Sequence, residues 1–105
     1  LKGLENLVSL MIEWCMDLRD LSGLEGLENL GFLKIYQCYR LSDLEALSGL
    51  KNLREFEFNL GGPLSDLSPL SGLESLTRIS IASGSLSDLS PLSGLENLTL
   101  IHKEL

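Results

Sequence analysis

An α/β repeat solenoid is the fold class this sequence predicts: a right-handed superhelix with a parallel concave sheet and short 3₁₀ or irregular convex segments. Three observations predict it. Gly3, Gly26, Gly49, Gly72 and Gly94 recur at intervals of 23, 23, 23 and 22 residues, each followed directly by leucine. A period of about 20–29 residues built on leucine marks turns that bury their apolar side only by stacking. Within every interval an apolar rhythm of two gives way to a rhythm of three, and a small residue stands where they meet.

The rhythm of two comes first. Leu10-Met11-Ile12, Leu33-Lys34-Ile35, Phe56-Glu57-Phe58 and Ile79-Ser80-Ile81 alternate as a half-buried strand does. The glycine alignment continues this column to Ile101, and Lys103 replaces the second core residue. Three residues past each strand pair stand Cys15, Cys38, Gly61 and Gly84, small groups for a tight place. Leucines then fall every third residue, as in Leu41, Leu44, Leu47 and Leu50, which suits a short 3₁₀-like arm better than an α-helix. Asp20, Asp43, Asp66 and Asp88 open those arms, where a carboxylate accepts hydrogen bonds from the free N–H groups of the first turn. Pro69 and Pro91 follow three residues later, consistent with a short capped turn. The glycine column is expected to let the chain turn back toward the next strand.

Each unit offers about eight inward apolar side chains, each contributing about 1.5–3 kcal/mol gross on burial. Conformational entropy offsets most of that sum. The expected organisation is one domain over residues 1–105, about four and a half repeats starting near 3, 26, 49, 72 and 94, without recognisable capping units. Leu1 at the start reads as a piece of a longer protein or a processed chain, and Lys103 as either a stop or a truncation. Exposed terminal leucines predict end-to-end self-association or removal from flanking repeats. A net charge of −7 argues against nucleic acid, which demands clustered Lys and Arg. It is read as a solubilising surface. The longest apolar run is far too short for a membrane span, so no membrane insertion is expected.

These residues resemble the leucine-rich repeat family. Leu7-x-x-Leu10-x-Ile12-x-x-Cys15 and Leu30-x-x-Leu33-x-Ile35-x-x-Cys38 match its strand pattern, with cysteine where asparagine is commoner. Leu64-Ser65-Asp66-Leu67-Ser68-Pro69-Leu70 and Leu86-Ser87-Asp88-Leu89-Ser90-Pro91-Leu92 are similar to its short-repeat subclass, which includes bacterial internalins and eukaryotic phosphatase regulatory subunits. The resemblance implies protein–protein binding through the concave sheet. The family's asparagine ladder is missing from the Cys15, Cys38, Gly61, Gly84 column, and Gly61-Gly62-Pro63 departs from its neighbours enough to predict a bulge.

Function is sought where side chains vary while the frame stays fixed. Residues between and beside the core pairs face outward on a strand: Ser9, Met11, Glu13 and Trp14, then Phe32, Lys34, Tyr36 and Gln37. The next rungs give Glu55, Glu57, Asn59 and Leu60, then Arg78, Ser80, Ala82 and Ser83, with Leu100 and His102 beginning a fifth. Met11, Trp14, Phe32 and Tyr36 form an aromatic group with Lys34 among them, of the composition that anchors interfaces. Glu55 and Glu57 add an acidic strip, with Arg78 beyond. The eight together are the expected partner-binding residues, suited to a protein carrying apolar and basic groups. The competing assignment is that they shield core or contact a flanking domain.

Other chemistry finds little footing. Cys15 and Cys38 share a column on adjacent rungs, which could approach the Cα spacing of under about 7 Å that a disulfide needs. The preferred reading is two buried free thiols, which points to a reducing compartment. A zinc site lacks a nearby histidine partner for them. The Asp column reads as capping rather than a metal ladder. His102, the single histidine, has no acid or nucleophile at a diagnostic spacing. Gly61-Gly62 lacks the Lys and Ser/Thr of a phosphate loop, and Asn97-Leu98-Thr99 fits a glycosylation pattern by chance within a repeated frame. No cofactor is expected and nothing supports an enzyme. The sequence therefore predicts a non-catalytic protein-binding module, with a truncated or designed scaffold that self-associates end to end as the alternative.

Overall fold

The computed structural model describes residues 6–59, 66–82 and 90–103, the last four by backbone alone. Five strands form one parallel sheet in chain order: β1 (Ser9–Glu13), β2 (Phe32–Tyr36), β3 (Glu55–Asn59), β4 (Arg78–Ala82) and β5 (Thr99–Lys103). From β1 to β4 each strand pairs with the residue 23 positions on, as in Leu10 with Leu33 and Leu33 with Phe56. The repeat length of the sequence is thus the register of the sheet.

The inner face carries the expected core. Leu33, Ile35, Phe56 and Phe58 are fully buried, and the Phe56 and Phe58 rings stand 6.2 Å apart at a tilt of 39°. In the first rung Leu7, Leu10, Ile12 and Leu18 pack against this core but stay partly exposed. Burial of the leucine columns therefore grows from β1 inward.

The return arms explain the rhythm of three. Each leucine N–H donates to the carbonyl of the leucine three residues earlier: Leu47 to Leu44 at 2.9 Å, Leu50 to Leu47 at 3.0 Å and Leu53 to Leu50 at 3.0 Å. Consecutive three-residue turns point every third side chain the same way, so these leucines all face inward. The 3₁₀ helices Glu45–Gly49, Ser68–Leu70 and Ser90–Leu92 are the regular parts of these arms. The aspartates open them as expected. Asp20, Asp43 and Asp66 each accept at Oδ1 from the backbone N–H two residues later, at 3.1, 2.9 and 2.9 Å. The Ser22 hydroxyl adds a second bond to Asp20, and together these hold its carboxyl below the usual range.

Three expectations change. The glycine column does not supply an unusual backbone: among the described residues only Gly23 has a positive glycine φ, at 103°. A Cβ built on Gly26, Gly49, Gly72 or Gly94 meets nothing within 4 Å. Those glycines sit in 3₁₀-type turns facing open space, which any L-residue adopts.

The second change is the fifth strand. Ile79 pairs with Leu100 and Ile81 with His102, one residue ahead of the glycine alignment. Leu100 and His102 thus take core register positions rather than outward ones. A one-residue slip moves a strand's side chains to the opposite face, and an edge strand has one neighbour to resist it.

The third change is Cys15, which is exposed rather than buried, while Cys38 is buried. Cys15 lies on the first rung, whose columns are open. The features expected at Leu4, at 60–65 (including Gly61-Gly62-Pro63), at Ser83 and Gly84, and at 85–89 with Asp88, lie outside the described residues.

Candidate binding face

Register gathers the outward side chains into rows running across the sheet. Met11, Lys34, Glu57 and Ser80 form the middle row. Phe32, Glu55 and Arg78 share a second row with Ser9, and Tyr36 shares a third with Glu13 and Asn59. Seven of the eight expected residues therefore lie on one surface. Trp14 stands just past the end of β1, beside that surface rather than within a row.

Exposure divides the group. Trp14 is 59% and Met11 53% exposed. Lys34 and Arg78 are exposed, whereas Phe32, Tyr36, Glu55 and Glu57 are half-buried among their neighbours. The register also alters the acidic strip: Glu57 stands opposite Lys34, and Glu55 opposite Arg78. Each carboxylate thus has a cation one strand away, so the face alternates in charge instead of presenting a bare anionic stripe.

Tyr36 links the middle and third rows, its hydroxyl donating to Glu57 Oε2. That bond pushes the phenol pKa up to about 12, helped by burial and by the charges of Glu57 and Glu13. The ring is therefore a fixed neutral donor at physiological pH.

At the exits of β1 and β2 the backbone turns left-handed. Trp14 and Gln37 both have φ 59°, and their N–H groups donate to Tyr36 O at 3.1 Å and Asn59 O at 2.9 Å. Such a conformation is uncommon for residues other than glycine and asparagine. Trp14 is left exposed at this turn.

The 26 solved chains that match include two internalins of Listeria monocytogenes. Internalin C2 is 28% identical with a TM-score of 0.78, over 98% of this chain and 46% of that one. Internalin F is 20% identical with a TM-score of 0.63, over 96% of this chain and 37% of that one, a likeness that shows the fold alone. The chain carries internalin-type leucine-rich repeats. It spans under half the length of either internalin structure. No family model and no curated protein matches the chain.

Two features of this internalin-type frame escape the column reading. Asn6, Asn29, Asn52, Ser75 and Asn97 form a polar column just before the strands. Asn52 Nδ2 donates to Glu28 O of the preceding rung at 2.8 Å. An asparagine tie between rungs is thus present at the strand entries, not in the Cys15–Gly84 column where it was sought. The second is apolar: Val8 at the strand entry, and Met16 and Tyr39 after the strand exits, are exposed large side chains. Met16 and Tyr39 occupy one column, 23 residues apart, and that repetition is the signal that would have found them. Among the described residues no group of three or more His, Cys, Asp and Glu is arranged to hold a metal, and no helix is long and apolar enough to cross a membrane.

Proposed function

We propose that this chain is a non-catalytic protein-interaction module whose partner is held on the concave face and its β1-side rim. The internalin-type frame supports an interaction module, because such a frame uses its repeated columns for stacking and leaves strand-face residues free to vary. The observation that carries the reading is Trp14. The residue is more than half exposed, and its backbone sits where glycine or asparagine is better suited. Neither core packing nor turn geometry calls for tryptophan there, whereas an interface anchor does. Met11 is exposed on the same side, and Phe32 and Tyr36 supply half-buried aromatic surface. Lys34, Glu57, Glu55 and Arg78 then offer alternating charge, which selects a partner of matching pattern rather than a uniformly basic one.

Capture from extracts on immobilised chain tests this, using wild type, Trp14→Ala, and Glu25→Ala on the convex side as control. The expected result is a protein retained by wild type and by Glu25→Ala, with Trp14→Ala weakening its binding by more than about 1 kcal/mol. Equal retention by all three proteins would remove Trp14 as an anchor, and with it the observation this reading rests on.

A further inference from the structure

Cys15 and Cys38 are the chain's two cysteines, and both are free. They occupy equivalent points on adjacent rungs. Glu13 and Tyr36 are register partners, and each cysteine follows its partner by two residues. Each thiol donates to the carbonyl two residues back, Cys15 Sγ to Glu13 O and Cys38 Sγ to Tyr36 O, both at 3.6 Å. Each cysteine carbonyl accepts from a leucine three residues on, Leu18 at 3.1 Å and Leu41 at 3.0 Å. The two loops are therefore copies separated by one rung, about 4.8 Å. That separation falls in the range of about 4.4–6.8 Å between Cα atoms that a disulfide spans. Access to the two differs sharply, since Cys15 is exposed and Cys38 is buried.

We propose that Cys15 and Cys38 form a thiol–disulfide exchange site in which Cys15 accepts a small-molecule disulfide and Cys38 resolves the adduct into a bridge between the first two rungs. The Cys15 thiolate attacks one sulfur of the reagent, the reagent's S–S bond breaks, and one thiolate leaves. Cys38 then gives its proton to solvent, and its sulfur attacks the Cys15 sulfur. The mixed disulfide breaks and the second reagent thiolate leaves. Two protein thiols are oxidised and one reagent disulfide is reduced to two thiols. Burial is the main cause that raises the Cys38 thiol above its ordinary range, so the second step is the slower one and quickens as pH rises. The bridge fastens the rung whose leucines are partly exposed to the one whose leucines are fully buried. It would restrain local opening beside Trp14 and Tyr36.

Folded chain treated with an aromatic disulfide that releases a coloured thiolate, followed by absorbance and intact mass, tests the proposal. Wild type is expected to release two thiolates in a fast and a slow phase, ending two hydrogen atoms lighter with no adduct. Cys38→Ala should release one and keep the adduct on Cys15, and Cys15→Ala should react at least about tenfold more slowly, because burial shields Cys38. Wild type that keeps an adduct on Cys15, or on both cysteines, overturns the proposal. So does a second release no faster than global unfolding measured by circular dichroism. If Cys38→Ala does not fold, the wild-type mass and the Cys15→Ala rate decide the matter by themselves.

Discussion

Replacing Gly49 by alanine is expected to stabilise the protein, although the glycine column is the most regular feature of the sequence. Gly49 ends the 3₁₀ helix Glu45–Gly49, has no left-handed φ, and offers a new Cβ open space to beyond 4 Å. Alanine therefore adds no clash, while it narrows the ensemble of the unfolded chain. That effect is worth about 0.4–1 kcal/mol where the native conformation is compatible. The assay is urea unfolding followed by far-ultraviolet dichroism. The midpoint should rise with the slope unchanged, since a change confined to stability leaves the exposed surface the same. Gly26→Ala and Gly72→Ala should behave alike, because a Cβ on either also meets nothing within 4 Å. A loss of 1 kcal/mol or more at Gly49 would refute the argument and restore the view that these glycines serve the turn.

Three further outcomes are expected. Leu33→Ala should cost about 2.7–5 kcal/mol as a fully buried leucine does, and Leu10→Ala about half as much, because its rung is partly open; equal costs in urea unfolding would mean that the first rung is as well covered as the second. Asp43→Ala should cost about 0.5–2 kcal/mol by freeing the Glu45 N–H, and an unchanged midpoint would show that water replaces the carboxylate. In a Tyr39→Phe background, the Tyr36 phenol should titrate near 12 by ultraviolet absorbance, and Glu57→Gln should bring it down toward 10.0. Because the folded value is the raised one, the stability this contact contributes is complete below about pH 10 and is lost as pH climbs toward 12. An ordinary tyrosine titration in the folded protein would remove the Tyr36–Glu57 bond from the account.

Legibility in the sequence followed the strength of the local constraint. Leucines spaced by three revealed the arms because three-residue turns and inward burial enforce the same spacing, as Leu44, Leu47 and Leu50 do. Register was readable from β1 to β4 because a 23-residue offset brings like columns together. It failed at β5, where Ile81 meets His102 and column identity no longer fixes which residue pairs. The aspartates were legible as acceptors for first-turn N–H groups since their side chains bond within two residues, although the N-cap positions of the helices Glu45–Gly49 and Ser68–Leu70 fall on Leu44 and Leu67. Asn52 was not, because its partner lies 24 residues away and no local pattern announces it. For the face, Met11, Lys34 and Glu57 were placed correctly by parity alone. Their charges were read along the chain, whereas the oppositely charged neighbours Lys34 and Arg78 stand across strands. Cys15 was misjudged because its column fixes direction but not cover, and the first rung is the open one.

Inter-strand register in solution is the most direct test of the whole account, read from nuclear Overhauser contacts in labelled protein. Contacts joining Leu10 to Leu33, Leu33 to Phe56 and Phe56 to Ile79 are expected, followed by Ile79 to Leu100 rather than to Ile101. A pattern dominated by contacts three and four residues apart along long helices, or any register that turns Lys34 and Glu57 inward, would contradict it.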